Sequence, residues 1–124
     1  MSIFSQLATL LAGKTAKPET NGYRRISAHD ARALLNTDAG AKLIDVRTEW
    51  EFRRQRIPGS VLIPDMAIKQ RVPALLSNSQ APIIVHCQSG VRSRKVAHRL
   101  LAMGYTNVYD LGGITSWPYG TVSG

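Results

Sequence analysis

The sequence predicts an α/β domain with a mainly parallel central sheet of about five strands, flanked by helices. Three observations carry this expectation. Short apolar runs recur at residues 41–46, 61–64, 82–86 and 107–111. Segments with helical periodicity stand between them. The run Pro82-Ile83-Ile84-Val85 is apolar without alternation, as strands covered on both faces are.

The elements follow in order. Residues 1–12 place Ile3, Phe4, Leu7, Ala8 and Leu11 on one helical face, suited to docking on the domain, a partner or a membrane surface. No basic residue precedes Ile3, so a secretory leader is not expected. Gly13, Pro18 and Gly22 punctuate a linker. Residues 1–22 are therefore read as a helix and linker, 23–120 as the domain and 121–124 as a tail. The domain opens with a short strand at Tyr23 and a helix capped by Ser27, whose side chain can accept from an early helix N–H. A strand at 41–46 ends in acid. A loop with a helical turn leads to Pro58-Gly59 and a short strand at 61–64. Residues 67–77 read as a helix interrupted at Pro73. After the strand at 82–86, Val96, Ala97, Leu100 and Leu101 form the apolar stripe of a helix from Arg94 to Met103, stopped by Gly104. A last strand at 107–111 precedes "GGITSWPYG", read as a turn with a short helix.

Charge and cysteine content narrow the function. The formal net charge is +8. No Asp or Glu lies between Asp65 and Asp110, while Arg92, Arg94, Lys95 and Arg99 do. Such a field draws in small anions. A nucleic-acid surface is not expected, because no recognition motif is present and no aromatic residue interleaves the basic cluster. No apolar run approaches the ~20 residues that span a bilayer. The single cysteine, Cys87, excludes an internal disulfide and a cysteine-rich zinc site. It fits a reducing compartment, and a cytoplasmic location is expected.

Cys87 stands where chemistry is expected, beyond the carboxyl end of a strand in a parallel sheet. A loop between that strand end and the next helix start can turn N–H groups inward, and the helix start adds partial positive charge. Both favour thiolate over thiol. Gly90 permits the tight curl. Arg92 can bind an oxyanion bidentately beside the sulfur. A lone cysteine is often only a buried structural thiol. Cys, Gly and Arg in this spacing, between strand and helix, favour a reactive one.

Four segments resemble the rhodanese superfamily. "LIDVRTEWEF" (43–52) is similar to its first signature and "RIPGSVLIP" (56–64) to the continuation. "CQSGVRS" (87–93) is similar to the active-site loop, and "GYTNVYDLGGITSW" (104–117) to the closing signature. The resemblance implies a single-domain sulfurtransferase that moves sulfane sulfur from thiosulfate or a persulfide donor to cyanide or a thiol. It implies a Cys87 persulfide, ping-pong kinetics and no metal or organic cofactor. The loop N–H groups of Gln88, Ser89, Gly90, Val91, Arg92 and Ser93 would stabilise the persulfide, and Arg92 would bind the sulfonate end of thiosulfate. Asp45 and Arg47, from the strand signature, would organise the site from behind. His86 would face away from Cys87 and pack. Gly112, Gly113 and Trp117 are read as turn and packing residues.

One departure stands out. The family often has Gly-His before the Ile-Pro-Gly turn, where this chain has Gln55 and Arg56. Three rivals are weighed. Rhodanese-like phosphatases of the cell-cycle type have a loop one residue longer, whereas Cys87 and Arg92 here enclose only Gln88 to Val91, a cradle better suited to sulfur. Non-catalytic binding modules of this family commonly lack the cysteine. A sulfur carrier that hands sulfur to a partner protein keeps the same chemistry. With one thiol in the chain, release must go to an external acceptor.

Overall fold

The computed structural model describes residues 18–124. The helix expected at residues 1–12 and most of the linker lie outside the described residues. The described elements, in order, begin with helix α1 (Ala28–Thr37), strand β1 (Lys42–Asp45), helix α2 (Glu49–Arg54) and strand β2 (Val61–Leu62). A 3-10 turn (Asp65–Ala67) leads into helix α3 (Ile68–Leu75). Strand β3 (Ile83–Cys87), helix α4 (Val91–Ala102), strand β4 (Val108–Gly113) and a second 3-10 turn (Ile114–Ser116) complete the order. The strands form one parallel sheet in the order β2-β1-β3-β4.

Alternation along the strands divides the core into two layers. Ile44, Ile83, Val85, Cys87 and Val108 face one side, with Ile68 and Val72 of α3 and Val96, Ala97 and Leu100 of α4. Leu43, Ile84, Tyr109 and Leu111 face the other, with Ala31 and Leu34 of α1. All five residues of β3 are buried, which explains its unbroken apolar reading. Parallel pairing requires long crossovers, and the helices supply them.

The structure corrects several boundaries. The sheet has four strands, not five, because the segment at Tyr23 makes only a single parallel bridge, Arg25 to Asp110. Ser27 caps α1 two residues later, accepting from the Asp30 N–H at 3.1 Å, so no length remains for a strand. Helix α3 runs through Pro73 without interruption. Pro73 has no N–H to meet the Lys69 carbonyl, yet the helix closes its last turn with the Leu76 N–H donating to the Val72 carbonyl. Gly112 and Gly113 belong to β4 and not to a turn. Gly112 has φ +85, and the β3–β4 register shifts between Val85 and His86, so this glycine forms a bulge.

Helix α4 begins three residues before Arg94, at Val91, with Gly90 at φ +103 as its N-cap. The apolar stripe marks only the part of α4 that packs on the sheet. Its polar first turn faces the end of β3, and periodicity gives no signal there. Only Gln88, Ser89 and Gly90 remain between the strand and the helix.

Candidate active site

Cys87 is the last residue of β3, paired with Gly113 in the ladder and fully buried. Its thiol is ringed by donors. The Gly90 N–H donates to Sγ at 2.9 Å. Burial alone would push the Cys87 pKa up, but the Ser93 hydroxyl and the N–H groups of Ser93, Gly90 and Ser89 outweigh it. The net displacement is below the ordinary thiol value of 9.0. These four donors belong to three of the expected loop residues, Ser89, Gly90 and Ser93. The Gln88 carbonyl oxygen lies against Gly113, Val91 is 63% exposed, and Arg92 points its guanidinium at a carboxylate.

That carboxylate belongs to Glu51. Arg92 Nη1 donates to Oε1 at 2.7 Å and Nη2 to Oε2 at 2.9 Å, a bidentate pair. The Arg92 hydrogen bond is the largest cause of a Glu51 pKa lowered to about 2; partial burial opposes it, and bonds from the Thr48 N–H and hydroxyl assist. A sulfonate at Arg92 would therefore compete with Glu51. Sequence reading missed Glu51, although Thr48-Glu49-Trp50-Glu51 carries a signal for it, the Thr-x-x-Glu capping box that opens α2. The same carboxylate that closes the cap reaches across to Arg92.

Behind the loop, Asp45 at the end of β1 is fully buried and Arg47 is 2% exposed. Asp45 accepts from the Arg47 N–H at 3.0 Å, from Nε at 3.0 Å and from Nη2 at 2.8 Å. Arg47 then donates from Nη1 to Gln88 Oε1 at 3.1 Å, and from Nη2 to the Gln55 carbonyl. One buried ion pair thus ties the sheet, the residue after Cys87 and the end of α2 together. A buried pair of this kind holds geometry; its charges were costly to desolvate. His86 lies on the other face from Cys87, with Nε2 3.5 Å from Asp45 Oδ2. Burial pushes its pKa down, against the Asp45 charge. Arg94 is held outside the loop, 3.3 Å from Glu19 and over the Tyr23 ring.

Gly113 is a further residue whose role the sequence did not reveal. A Cβ there would lie 2.5 Å from the Gln88 carbonyl oxygen and 3.1 Å from Ser89 Cα. The absent side chain is what allows the loop to lie against β4.

Gln55 and Arg56 hold the tail. Arg56 and Val122 exchange backbone bonds at 2.9 Å in both directions. Gln55 Nε2 donates to Thr121 Oγ1 at 3.1 Å, and Arg56 Nη1 to the Gly124 carbonyl at 2.7 Å. Residues 121–124 therefore lie along the site. Thr121, Val122 and Ser123, with α2, Arg47 and Gln88, line an open cavity of about 550 Å³.

Comparison with known proteins agrees with this architecture. The Rhodanese-like domain family matches residues 27–118. The chain is 31% identical over 107 residues to Thiosulfate sulfurtransferase GlpE of Pseudomonas syringae pv. syringae, covering 82% of this chain and 97% of that protein. It is 35% identical over 101 residues to Adenylyltransferase and sulfurtransferase UBA4 of Meyerozyma guilliermondii, where the match covers 76% of this chain but only 23% of that protein's length. A solved structure described as "rhodanese with anions from E. coli" superposes with a TM-score of 0.65 at 27% identity, covering 68% of this chain and 99% of that one. With one parallel sheet, a cysteine ending one of its two inner strands and a family match over most of the length, the chain belongs to the rhodanese superfamily.

Proposed function

We propose that the protein transfers sulfane sulfur through a persulfide on Cys87. One observation carries the reading: a fully buried thiol whose ionised form is favoured by N–H and hydroxyl donors from Ser89, Gly90 and Ser93. Donors fixed before reaction stabilise charge on sulfur without reorganisation. Relatives named thiosulfate sulfurtransferases support the same reaction class.

The Cys87 thiolate attacks the outer sulfur of thiosulfate. A Cys–S–S bond forms, the bond to the sulfonate group breaks, and its electron pair leaves with sulfite. An acceptor, cyanide or a thiolate, then attacks the outer sulfur. The electron pair of the S–S bond returns to Sγ and restores the thiolate. Gly90, Ser89 and Ser93 hold the charge at each stage. Arg47 and Asp45 fix Gln88, and so the loop. Arg92 serves the donor anion when Glu51 yields it. The short span from Cys87 to Gly90, followed at once by the helix, makes a cradle for a single sulfur atom rather than a tetrahedral phosphate.

Intact-mass measurement tests this directly. Thiosulfate should add one sulfur atom to the wild-type chain, and cyanide should remove it as thiocyanate. Cys87→Ser should do neither, because a hydroxyl carries no sulfane sulfur. Thiocyanate production by the serine variant at the wild-type rate would overturn the assignment.

A further inference from the structure

The cavity beside the loop has a chemical character of its own. Its volume of about 550 Å³ lies within the usual range for small-molecule sites. Its lining includes Arg47, Trp50, Glu51, Arg54, Gln88 and Thr121. Cys87 itself does not line it, but Gln88, the next residue in the chain, does, and so does Glu51, which is bonded to Arg92 in the first turn of α4.

The charges on this lining nearly cancel, and the remainder is informative. Arg47 is neutralised by Asp45, and Glu51 by Arg92. On the outer side, Glu49 of α2 is taken by Arg53. Arg54 has no carboxylate within 4 Å among the described residues. Its guanidinium lies 4.7 Å over the ring of Trp50, which is 64% exposed. The cavity thus offers one uncompensated cation beside an exposed aromatic face, with Val122 from the tail as a further apolar wall. That pairing suits a short apolar stem ending in an anionic group.

We propose that this cavity is the acceptor subsite, and that it takes a small thiol bearing a carboxylate, with the carboxylate on Arg54 and the sulfur directed toward Cys87. The proposal rests on the sulfur-transfer reading above. The acceptor thiolate attacks the outer sulfur of the Cys87 persulfide, a new S–S bond forms to the acceptor, and the Cys87 Sγ–S bond breaks with its pair returning to Sγ. The acceptor departs as its own persulfide, and no outside oxidant or reductant enters.

Two probes of similar size separate the contact from general thiol reactivity: 3-mercaptopropionate and 2-mercaptoethanol, compared per thiolate, as acceptors for the thiosulfate-loaded full chain. The wild type should prefer the carboxylate thiol by about five- to tenfold in kcat/KM, the range of a screened charge-assisted contact. Arg54→Glu should abolish or reverse the preference, and Arg54→Lys should keep part of it. Lys69→Glu changes the net charge equally from an exposed position outside the cavity, and should leave the preference in place. No preference in the wild type, or equal loss with Arg54→Glu and Lys69→Glu, would overturn the subsite. A wild-type chain that fails to load sulfur from thiosulfate would instead overturn the reaction itself.

Discussion

At the scale of single residues, the site is governed by who holds which charge. The Cys87 thiolate is favoured by Ser93 and by the N–H groups around it, against the cost of burial. The direction sets the pH profile. A lowered thiol pKa keeps the reactive form populated below 9.0, so loading by thiosulfate should stay on a plateau through that value and fall on the acid side. Ser93→Ala removes a donor to the ionised form and should move the acid limb to higher pH, read from thiolate absorbance and loading rates. The same depression contributes stability above the unfolded thiol's pKa, and that contribution is lost as pH falls through the folded value. Under the proposed reaction, Glu51 governs how freely Arg92 can meet the donor, because it holds both ends of the guanidinium. Glu51→Gln should leave Arg92 with an uncompensated charge and lower the KM for thiosulfate by about fivefold, roughly 1 kcal/mol for a partly exposed pair. An uncharged persulfide donor should gain little, and equal gains with both donors would show that the pair only braces the loop. Cys87, Gly90 and Arg92 were legible in the sequence because their spacing is local. Glu51 was not, because it meets Arg92 from 41 positions away. Its cap with Thr48 could be read, but no local pattern says that a capping carboxylate has a second partner.

At the scale of elements, the strands were legible wherever burial on both faces produced an unbroken apolar run, as in β3. They were not legible at their ends. The glycines closing β4 read as a turn, because a bulge and a tight approach both call for glycine without revealing which element holds it. The approach has a consequence that can be measured. Gly113→Ala would drive a methyl into the Gln88 carbonyl, a backbone atom that cannot swing aside as a side-chain tip could, so either the loop or β4 must move. Expected is a large loss of persulfide loading, together with destabilisation on the order of 1–3 kcal/mol in urea unfolding, the usual cost of overpacking. Retained loading with unchanged stability would show that the loop does not need this contact. The start of α4 was hidden for the opposite reason. Its first turn serves the thiol rather than the core, so it carries no apolar period, and only Gly90 at φ +103 marks the boundary.

At the scale of the whole molecule, alternation of strands and helices was enough to predict a parallel α/β architecture, and the sheet order came from the structure alone. The same alternation could not predict that residues 121–124 return to the end of α2, since backbone pairing leaves no trace in side-chain pattern and the side chains that assist it, Gln55 and Arg56, lie more than 60 positions away. No helix among the described residues is long and apolar enough to cross a membrane. The sheet order and the returning tail also imply two clocks. Strand β3 lies between β1 and β4, so its amides are sealed by ladders on both sides and should exchange with deuterium only through global unfolding. The tail is fastened to Arg53 and Arg56 by three backbone bonds, and Val122 is 44% exposed. Its amides should exchange through local opening, roughly a hundredfold faster or more. Equal protection at Val122 and Val85 would sink that distinction. If it holds, one wall of the cavity can swing aside while the strand bearing Cys87 stays shut, so the cavity can open without the platform under Cys87 ever loosening.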